Sequence, residues 1–72
     1  MNFHQLEYVI AVHRTKHFGK AAESCNITQA TISVMIKKLE DELSVQLFDR
    51  SRHPIQTIDD GILVLKKAED IL

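Results

Sequence analysis

Apolar residues recur every three to four positions along most of the chain, a spacing that is typical of amphipathic helices. The spacing predicts helices over residues 3–15, 20–25 and 29–43. Asn2 and Thr28 are suited to cap the first and the third of these helices, because their side chains accept hydrogen bonds from backbone N–H groups. The third helix has the clearest apolar stripe, which consists of Ile32, Ile36, Leu39 and Leu43.

A different pattern follows the third helix. Residues 45–50 partly alternate between apolar and polar side chains, residues 55–58 alternate again, and the polar segment 51–54 contains the only proline. This pattern predicts two short strands joined as a small hairpin. The run Thr57-Ile58-Asp59-Asp60 is similar to a capping box, with Asp in place of the usual Glu or Gln, and predicts a last helix that reaches Leu72.

The order of these elements predicts a mainly helical fold, a winged helix-turn-helix with three helices and a two-stranded wing, followed by a linker helix. We assign residues 1–58 to the winged domain and residues 59–72 to the linker helix. A chain of 72 residues, 44% of them hydrophobic, is too short for two domains and too apolar for a disordered segment. The single cysteine, the lack of a long apolar run and the lack of a signal-peptide layout favour a cytoplasmic protein without a membrane span.

The formal net charge of −1 argues by itself against a nucleic-acid partner. The distribution of charge changes this interpretation, because binding depends on the local field. Five basic residues and one acidic residue lie between Arg14 and Lys38, and Arg50 and Arg52 form a second basic spot. The sequence therefore predicts a basic face with most acidic residues directed elsewhere.

The exposed face of the third helix carries side chains that suit close approach to base edges. Gln29 has the amide geometry to pair with adenine, and Ser33 can bond a base edge or a phosphate. Lys37 and Lys38 are spaced to reach phosphates. The alternative interpretation is a face that is merely solvated.

The predicted hairpin has a basic tip. Arg52 and His53 lie at the tip and Arg50 lies at the base, where a wing contacts phosphates or the minor groove. The alternative is a charged loop that keeps the edge of the hairpin soluble.

Catalysis and metal binding have no support in the sequence, and we predict neither an enzyme nor a cofactor. No Gly-rich phosphate loop and no nucleophile with a convincing base is present. His13 and His17 have metal-ligand spacing only if one helix continues past Lys16, and structural zinc needs four ligands. Cys25 is predicted to be a small buried apolar residue.

The last helix carries more apolar residues than one stripe against a small core requires, which favours a partner surface. The alternative is a helix buried on two sides by its own domain. A protein-interaction module that uses this helix without binding DNA is the second functional hypothesis. The predicted dimerisation residues are Ile58, Ile62, Leu65, Ala68 and Leu72.

Several runs of the sequence resemble the signature of the LysR-type transcriptional regulators. They are AAE at 21–23, TQATIS at 28–33, IKKLEDEL at 36–43 and LFDR at 47–50. The resemblance covers essentially the whole chain. Within the family, Thr31, the KLEDEL run and residues 48–54 are most similar to the peroxide-sensing OxyR branch.

The resemblance implies sequence-specific binding of double-stranded DNA by a homodimer that forms through the linker helix, with a higher oligomer in the full-length protein. It also implies that an effector ligand or oxidant acts through a C-terminal effector-binding domain, which this chain lacks. The same resemblance implies that four residues lie in the major groove, namely Gln29, Ala30, Ser33 and Val34. It implies that Thr28, Thr31, Lys37 and Arg50 support phosphate or helix-end contacts, and that Arg52 and His53 form the wing. With Lys38, the predicted DNA-binding set is Thr28, Gln29, Ala30, Thr31, Ser33, Val34, Lys37, Lys38, Arg50, Arg52 and His53.

Three positions depart from the pattern of the family. Ala30 stands where Pro is frequent, Val34 where Arg or Gln is frequent, and Ser44 where Gly is usual. Val34 cannot donate a hydrogen bond, so base preferences do not transfer from the family at this position. Ser44 predicts a strained backbone or a different turn after the third helix.

Overall fold

The computed structural model describes residues 2–71, with the side chains of residues 59, 60 and 68 excepted. This part of the chain forms four helices and one two-stranded antiparallel sheet. The elements are α1 (Phe3–Thr15), α2 (Phe18–Ser24), α3 (Gln29–Leu43), β1 (Phe48–Asp49), β2 (Gln56–Thr57) and α4 (Asp59–Ile71). Within the described residues, every helix is too short or too polar to cross a membrane.

Helices α1 and α3 have the predicted bounds because side chains cap both N-termini. Asn2 accepts the Gln5 N–H at 2.8 Å, and the Gln5 side chain accepts the Asn2 N–H at 3.0 Å, which completes a capping box. Thr28 Oγ1 accepts the Thr31 N–H at 3.1 Å. Helix α3 ends at Leu43, and its C-cap Ser44 has a φ of 55°, the strained left-handed backbone expected where the family has glycine.

Helix α2 begins at Phe18 and ends at Ser24, whereas the sequence predicted residues 20–25. The earlier start has a local cause, because His17 Nδ1 accepts the Lys20 N–H at 3.1 Å and caps the helix. Histidine is outside the usual set of N-cap residues. The aromatic ring of Phe18 is buried and anchors the first turn in the core.

The apolar core lies between α1, α2 and α3 and is closed by the wing and α4. Each helix presents one apolar stripe to it, as the spacing predicted. The buried apolar residues are Leu6, Val9, Ile10, Val12, Phe18, Ala21, Ala22, Ile32, Ile36, Leu39, Leu47, Phe48, Ile55 and Leu65.

The wing has shorter strands than the predicted 45–50 and 55–58. Phe48 pairs with Thr57 and Asp49 with Gln56. The alternation fails at the start of β1, because Leu47 and Phe48 are consecutive and both fully buried. At the other strand, the Ile55 N–H donates to the Lys16 carbonyl at 3.2 Å rather than to β1. The hairpin is therefore attached to the α1–α2 connection.

Helix α4 packs closely against the segment before β1. The Ile58 N–H donates to the Leu47 carbonyl at 2.9 Å, and a Cβ added to Gly61 would lie 2.6 Å from the same oxygen. Only glycine permits this approach. The prediction that Thr57 begins a capping box is wrong. Thr57 belongs to β2, and its hydroxyl is hydrogen-bonded to His13 Nδ1 at 2.7 Å.

Candidate nucleic-acid interface

The predicted residues of α3 are accessible to solvent in the structure. Gln29, Ala30, Thr31, Val34, Lys37 and Lys38 are exposed, and Ser33 is half-buried. Thr28 is also exposed, but its hydroxyl is occupied by the Thr31 N–H and lies 2.8 Å from the Thr31 hydroxyl. Thr28 thus fixes the start of α3.

Arg50 is held by the domain itself. Its guanidinium lies 2.9 Å from Glu40 Oε1 and 5.1 Å from the centre of the Phe18 ring, and its side chain is 34% exposed. A charged hydrogen bond and a cation–π contact together fix the orientation of this side chain. The predicted phosphate contact at Arg50 stays a prediction, whereas its attachment of the wing to α2 and α3 is a feature of the structure.

Glu40 is the buried partner in this contact. Its residue exposure is 4%, and its carboxylate accepts the Leu47 N–H at 2.7 Å as well as the Arg50 guanidinium. A second backbone donor, the Phe48 N–H, lies at 3.4 Å. Because Glu40 is buried and paired, it does not contribute a free negative charge to the surface of α3. Its position four residues after Ile36 was the available sequence signal for burial.

The tip of the wing carries its own network. Asp49 accepts hydrogen bonds from the side chain and the backbone N–H of Ser51, and these bonds hold the pKa of the Asp49 carboxyl below its usual value. The Arg52 guanidinium, 3.3 Å from Asp49, acts in the same direction. Arg52 and His53 are exposed, as a wing that contacts nucleic acid requires.

A cleft between the α1–α2 connection, the start of α3 and the wing adds residues that the sequence analysis missed. Lys16, His17 and Lys20 line it beside Gln29 and His53. Gln29 is one of the residues that line this cleft, and a Cβ added to Gly19 would lie 3.3 Å from Gln29 Oε1. The available signal was the count of basic residues, which already included Lys16 and Lys20.

His17 presents a hydrogen-bond donor to this cleft. Because its Nδ1 accepts the Lys20 N–H, a neutral His17 ring carries its proton on Nε2. The side chain is exposed, so this N–H is available to an anionic oxygen. The cleft is therefore lined by cations and by an oriented donor, an arrangement suited to a phosphate group.

The predicted dimerisation residues have different environments. Ile62 is exposed and Ile58 is partly buried, whereas Ala68 and Leu72 lie outside the described side chains. Leu65 is 2% exposed and packs into the core of its own chain, and its part in dimerisation stays a prediction. Two exposed residues of α4, Leu63 and Ile71, were left out of the predicted set.

Residues considered for other chemistry are also placed by the structure. The described residues contain no group of three or more His, Cys, Asp or Glu arranged to hold a metal ion. His13 is directed to Thr57 across the fold. Cys25 is partly exposed and lines a cleft with Arg14 and Glu69, so the prediction of a buried residue was wrong.

The α2–turn–α3 unit with the β1–β2 wing defines a winged helix-turn-helix. Residues 3–61 match the family model for the bacterial regulatory helix-turn-helix proteins of the lysR family. The chain belongs to this family, as its motifs predicted.

Similar proteins include the hydrogen peroxide-inducible genes activator of Haemophilus influenzae, which is 42% identical over all 72 residues. The chain spans about a quarter (24%) of the length of this relative. The BenM DNA-binding domain in complex with benA site 1 DNA has a TM-score of 0.95 at 34% identity, over 99% of this chain and 80% of that one. A full-length OxyR variant from Pseudomonas aeruginosa has a TM-score of 0.93 at 38% identity, over 99% of this chain and 24% of that one.

Proposed function

We propose that the chain binds double-stranded DNA in a sequence-dependent manner, with α3 in the major groove and the wing on the flanking backbone or minor groove. The observation that carries the proposal is the outward face of α3, because the segment from position 28 to 38 contains no acidic residue. In the sequence, Lys16 and Lys20 precede this segment, and Arg50 and Arg52 follow it. The likeness to a DNA-bound structure of the same family supports this docking mode.

The shape of α3 suits the major groove. Its 15 residues span about 22 Å, at about 1.5 Å per residue. Ala30 and Ser33 are small, so the helix can approach base edges closely. Gln29 lies at the N-terminal end of α3, the end with which a recognition helix contacts bases. Lys37 and Lys38 lie further along the helix, where phosphates flank the groove.

Local electrostatics explain how a chain with a net charge of −1 attracts a polyanion. Glu40 is buried against Arg50, Asp41 lies 3.4 Å from Lys37, and Asp49 is paired with Arg52. In each of these three contacts, the negative charge of the carboxylate is offset by a neighbouring cation. The cleft lined by Lys16, His17 and Lys20 supplies a further cationic site for one backbone phosphate.

We further propose that the protein acts as a homodimer through α4, with two α3 helices reading two half-sites. Ile62, Leu63 and Ile71 are large apolar side chains that α4 exposes to solvent. This chain spans about a quarter of the length of the relatives, and we propose that effector or oxidant sensing and higher assembly use a C-terminal domain of the whole protein. We propose that this activity takes place in the cytoplasm, where a bacterial regulator of this family meets its DNA. No enzymatic activity is proposed.

The DNA binding in this proposal is tested by fluorescence anisotropy with a labelled duplex of random sequence at physiological salt. The native chain is expected to bind with a Kd of roughly 10⁻⁴–10⁻⁶ M, the range of non-specific phosphate binding. Ser33→Glu places a carboxylate against the groove and is expected to abolish binding while the helical circular dichroism stays unchanged.

Ser24→Glu is the matched control, because it adds the same charge on an exposed residue of α2 that lines a cleft with Arg14 and Glu69 and with no residue of α3. It is expected to retain binding. Equal affinities for Ser33→Glu and the native chain would remove α3 from the interface. No binding by the native chain, and none by a covalently linked dimer, would favour the protein-interaction module instead.

A further inference from the structure

The outward face of α3 contains a small apolar notch. Ala30, Thr31, Val34 and Met35 line it, and none of the four is charged. Val34 is 53% exposed, although most large apolar residues of the described helices α1–α3 are buried in the core. The notch is thus a continuous apolar surface in the middle of the face that the proposed function directs at DNA.

Hydrogen bonding is unavailable to most of this notch. Ala30 and Val34 have no polar side-chain atoms, and the Thr31 hydroxyl lies 2.8 Å from the Thr28 hydroxyl in the N-terminal cap of α3. This part of the surface therefore cannot read the donors and acceptors by which base edges are usually distinguished. What it can recognise is an apolar group.

The major groove presents one such group, the C5 methyl of thymine. We infer that Val34, together with Ala30, is a specificity-determining residue that binds a thymine methyl group, so that the chain selects a T·A pair opposite the notch. This inference rests on the proposed function. It also accounts for how a chain with Val at this position can discriminate bases without the longer polar side chains that are frequent in the family.

The test begins with duplexes selected from a random library by the native 72-residue chain. Each thymine of the selected site is replaced in turn by uracil, which lacks only the C5 methyl group. Burial of one methyl-sized apolar group corresponds to about a fourfold change in Kd. We expect about this loss at one thymine of each half-site and little change at the others.

Two variants identify the residue that carries the effect. Val34→Ala removes the methyl groups that line the notch and is expected to reduce the thymine-to-uracil ratio at that position from about four towards one. Lys38→Ala is the matched control on the same helix, because loss of a phosphate contact weakens both duplexes equally and leaves the ratio at about four.

Three outcomes contradict the inference. A selected site in which no thymine is sensitive to uracil overturns it and leaves the proposed function intact. A ratio that Val34→Ala does not change assigns the methyl group to another residue and overturns it as well. If the native chain enriches no duplex at all, the proposed function fails together with the inference.

Discussion

The Glu40–Arg50 contact gives the sharpest test of how the wing is held on the domain. We choose Glu40→Gln, because glutamine preserves the shape of the side chain and keeps one carbonyl oxygen for the Leu47 N–H at 2.7 Å. The amide nitrogen then faces the Arg50 guanidinium across a contact that is 2.9 Å long in the native chain. The new glutamine amide and the Arg50 guanidinium are both hydrogen-bond donors, so the charged hydrogen bond between positions 40 and 50 is lost.

The expected loss of stability follows from this change. A hydrogen bond to a charged group contributes about 1.5–3 kcal/mol. Because Arg50 is one-third exposed and partly hydrated, the lower part of this range applies, about 2 kcal/mol. A domain of this size loses about 4–8 °C in Tm per kcal/mol, so we expect Tm to fall by about 8–16 °C.

The assay is thermal unfolding followed by circular dichroism, checked for reversibility. Asp41→Asn is the control, because Asp41 is the next residue of α3 and pairs with Lys37 at 3.4 Å in an exposed ion pair. Such a pair contributes about 0.3–0.5 kcal/mol, so its removal is expected to lower Tm by at most about 4 °C. Equal changes in Tm for the two variants would refute the argument that burial makes the Glu40 contact strong.

A double-mutant cycle with Arg50→Met measures the coupling directly. Arg50→Met alone leaves the buried carboxylate without its cation, whereas Glu40→Gln with Arg50→Met removes both charges. We therefore expect the double variant to lose at least about 1 kcal/mol less than the sum of the single losses, as for residues in direct contact. Strict additivity would show that the two side chains do not stabilise one another.

Four further substitutions test other parts of the structure. Gly61→Ala is expected to lower stability by about 1–3 kcal/mol, because the new Cβ must displace the Leu47 carbonyl; an unchanged Tm would contradict the close packing of α4. Ser44→Gly is expected to raise stability by about 1 kcal/mol, because glycine adopts the φ of 55° without steric cost; a lower denaturation midpoint would contradict this. Leu63→Lys is expected to reduce self-association in sedimentation equilibrium while the chain stays folded, because Leu63 is exposed. Leu65→Lys is expected to unfold the chain, because it places a charge in the core. An unchanged mass for Leu63→Lys would exclude that face of α4 from the dimer.

The sequence predicted α1 and α3 to the residue, because a periodic apolar stripe and a polar N-cap agree at both helices. It misplaced the start of α2, because the cap there is His17, a residue type that rarely signals a helix start. The strands of the wing are shorter than the sequence predicted, because tertiary contacts interrupt the alternating pattern. Leu47 and Phe48 are buried side by side, and a tertiary contact from Lys16 takes the place of strand pairing.

In the candidate site, features that depend on one helix could be predicted from the sequence, whereas contacts between distant residues could not. Exposure of Val34 and of the lysines of α3 follows from helical periodicity alone. The attachment of Arg50 to Glu40 joins positions ten residues apart through the core, and no local pattern predicts it. The burial of Leu65 was missed because α4 is apolar on more than one side, and only its packing against α1 shows which side is internal.

The salt dependence of duplex binding tests the central claim most directly. Anisotropy titrations of the native chain between about 50 and 200 mM salt give the slope of log K against log salt, which is about −0.9 for each phosphate neutralised. Our account expects a linear, steep dependence with several phosphates per bound chain, and a slope shallower by about one for Lys38→Ala. An affinity that does not change with salt, or a slope that Lys38→Ala leaves unchanged, would contradict phosphate binding by this face of α3.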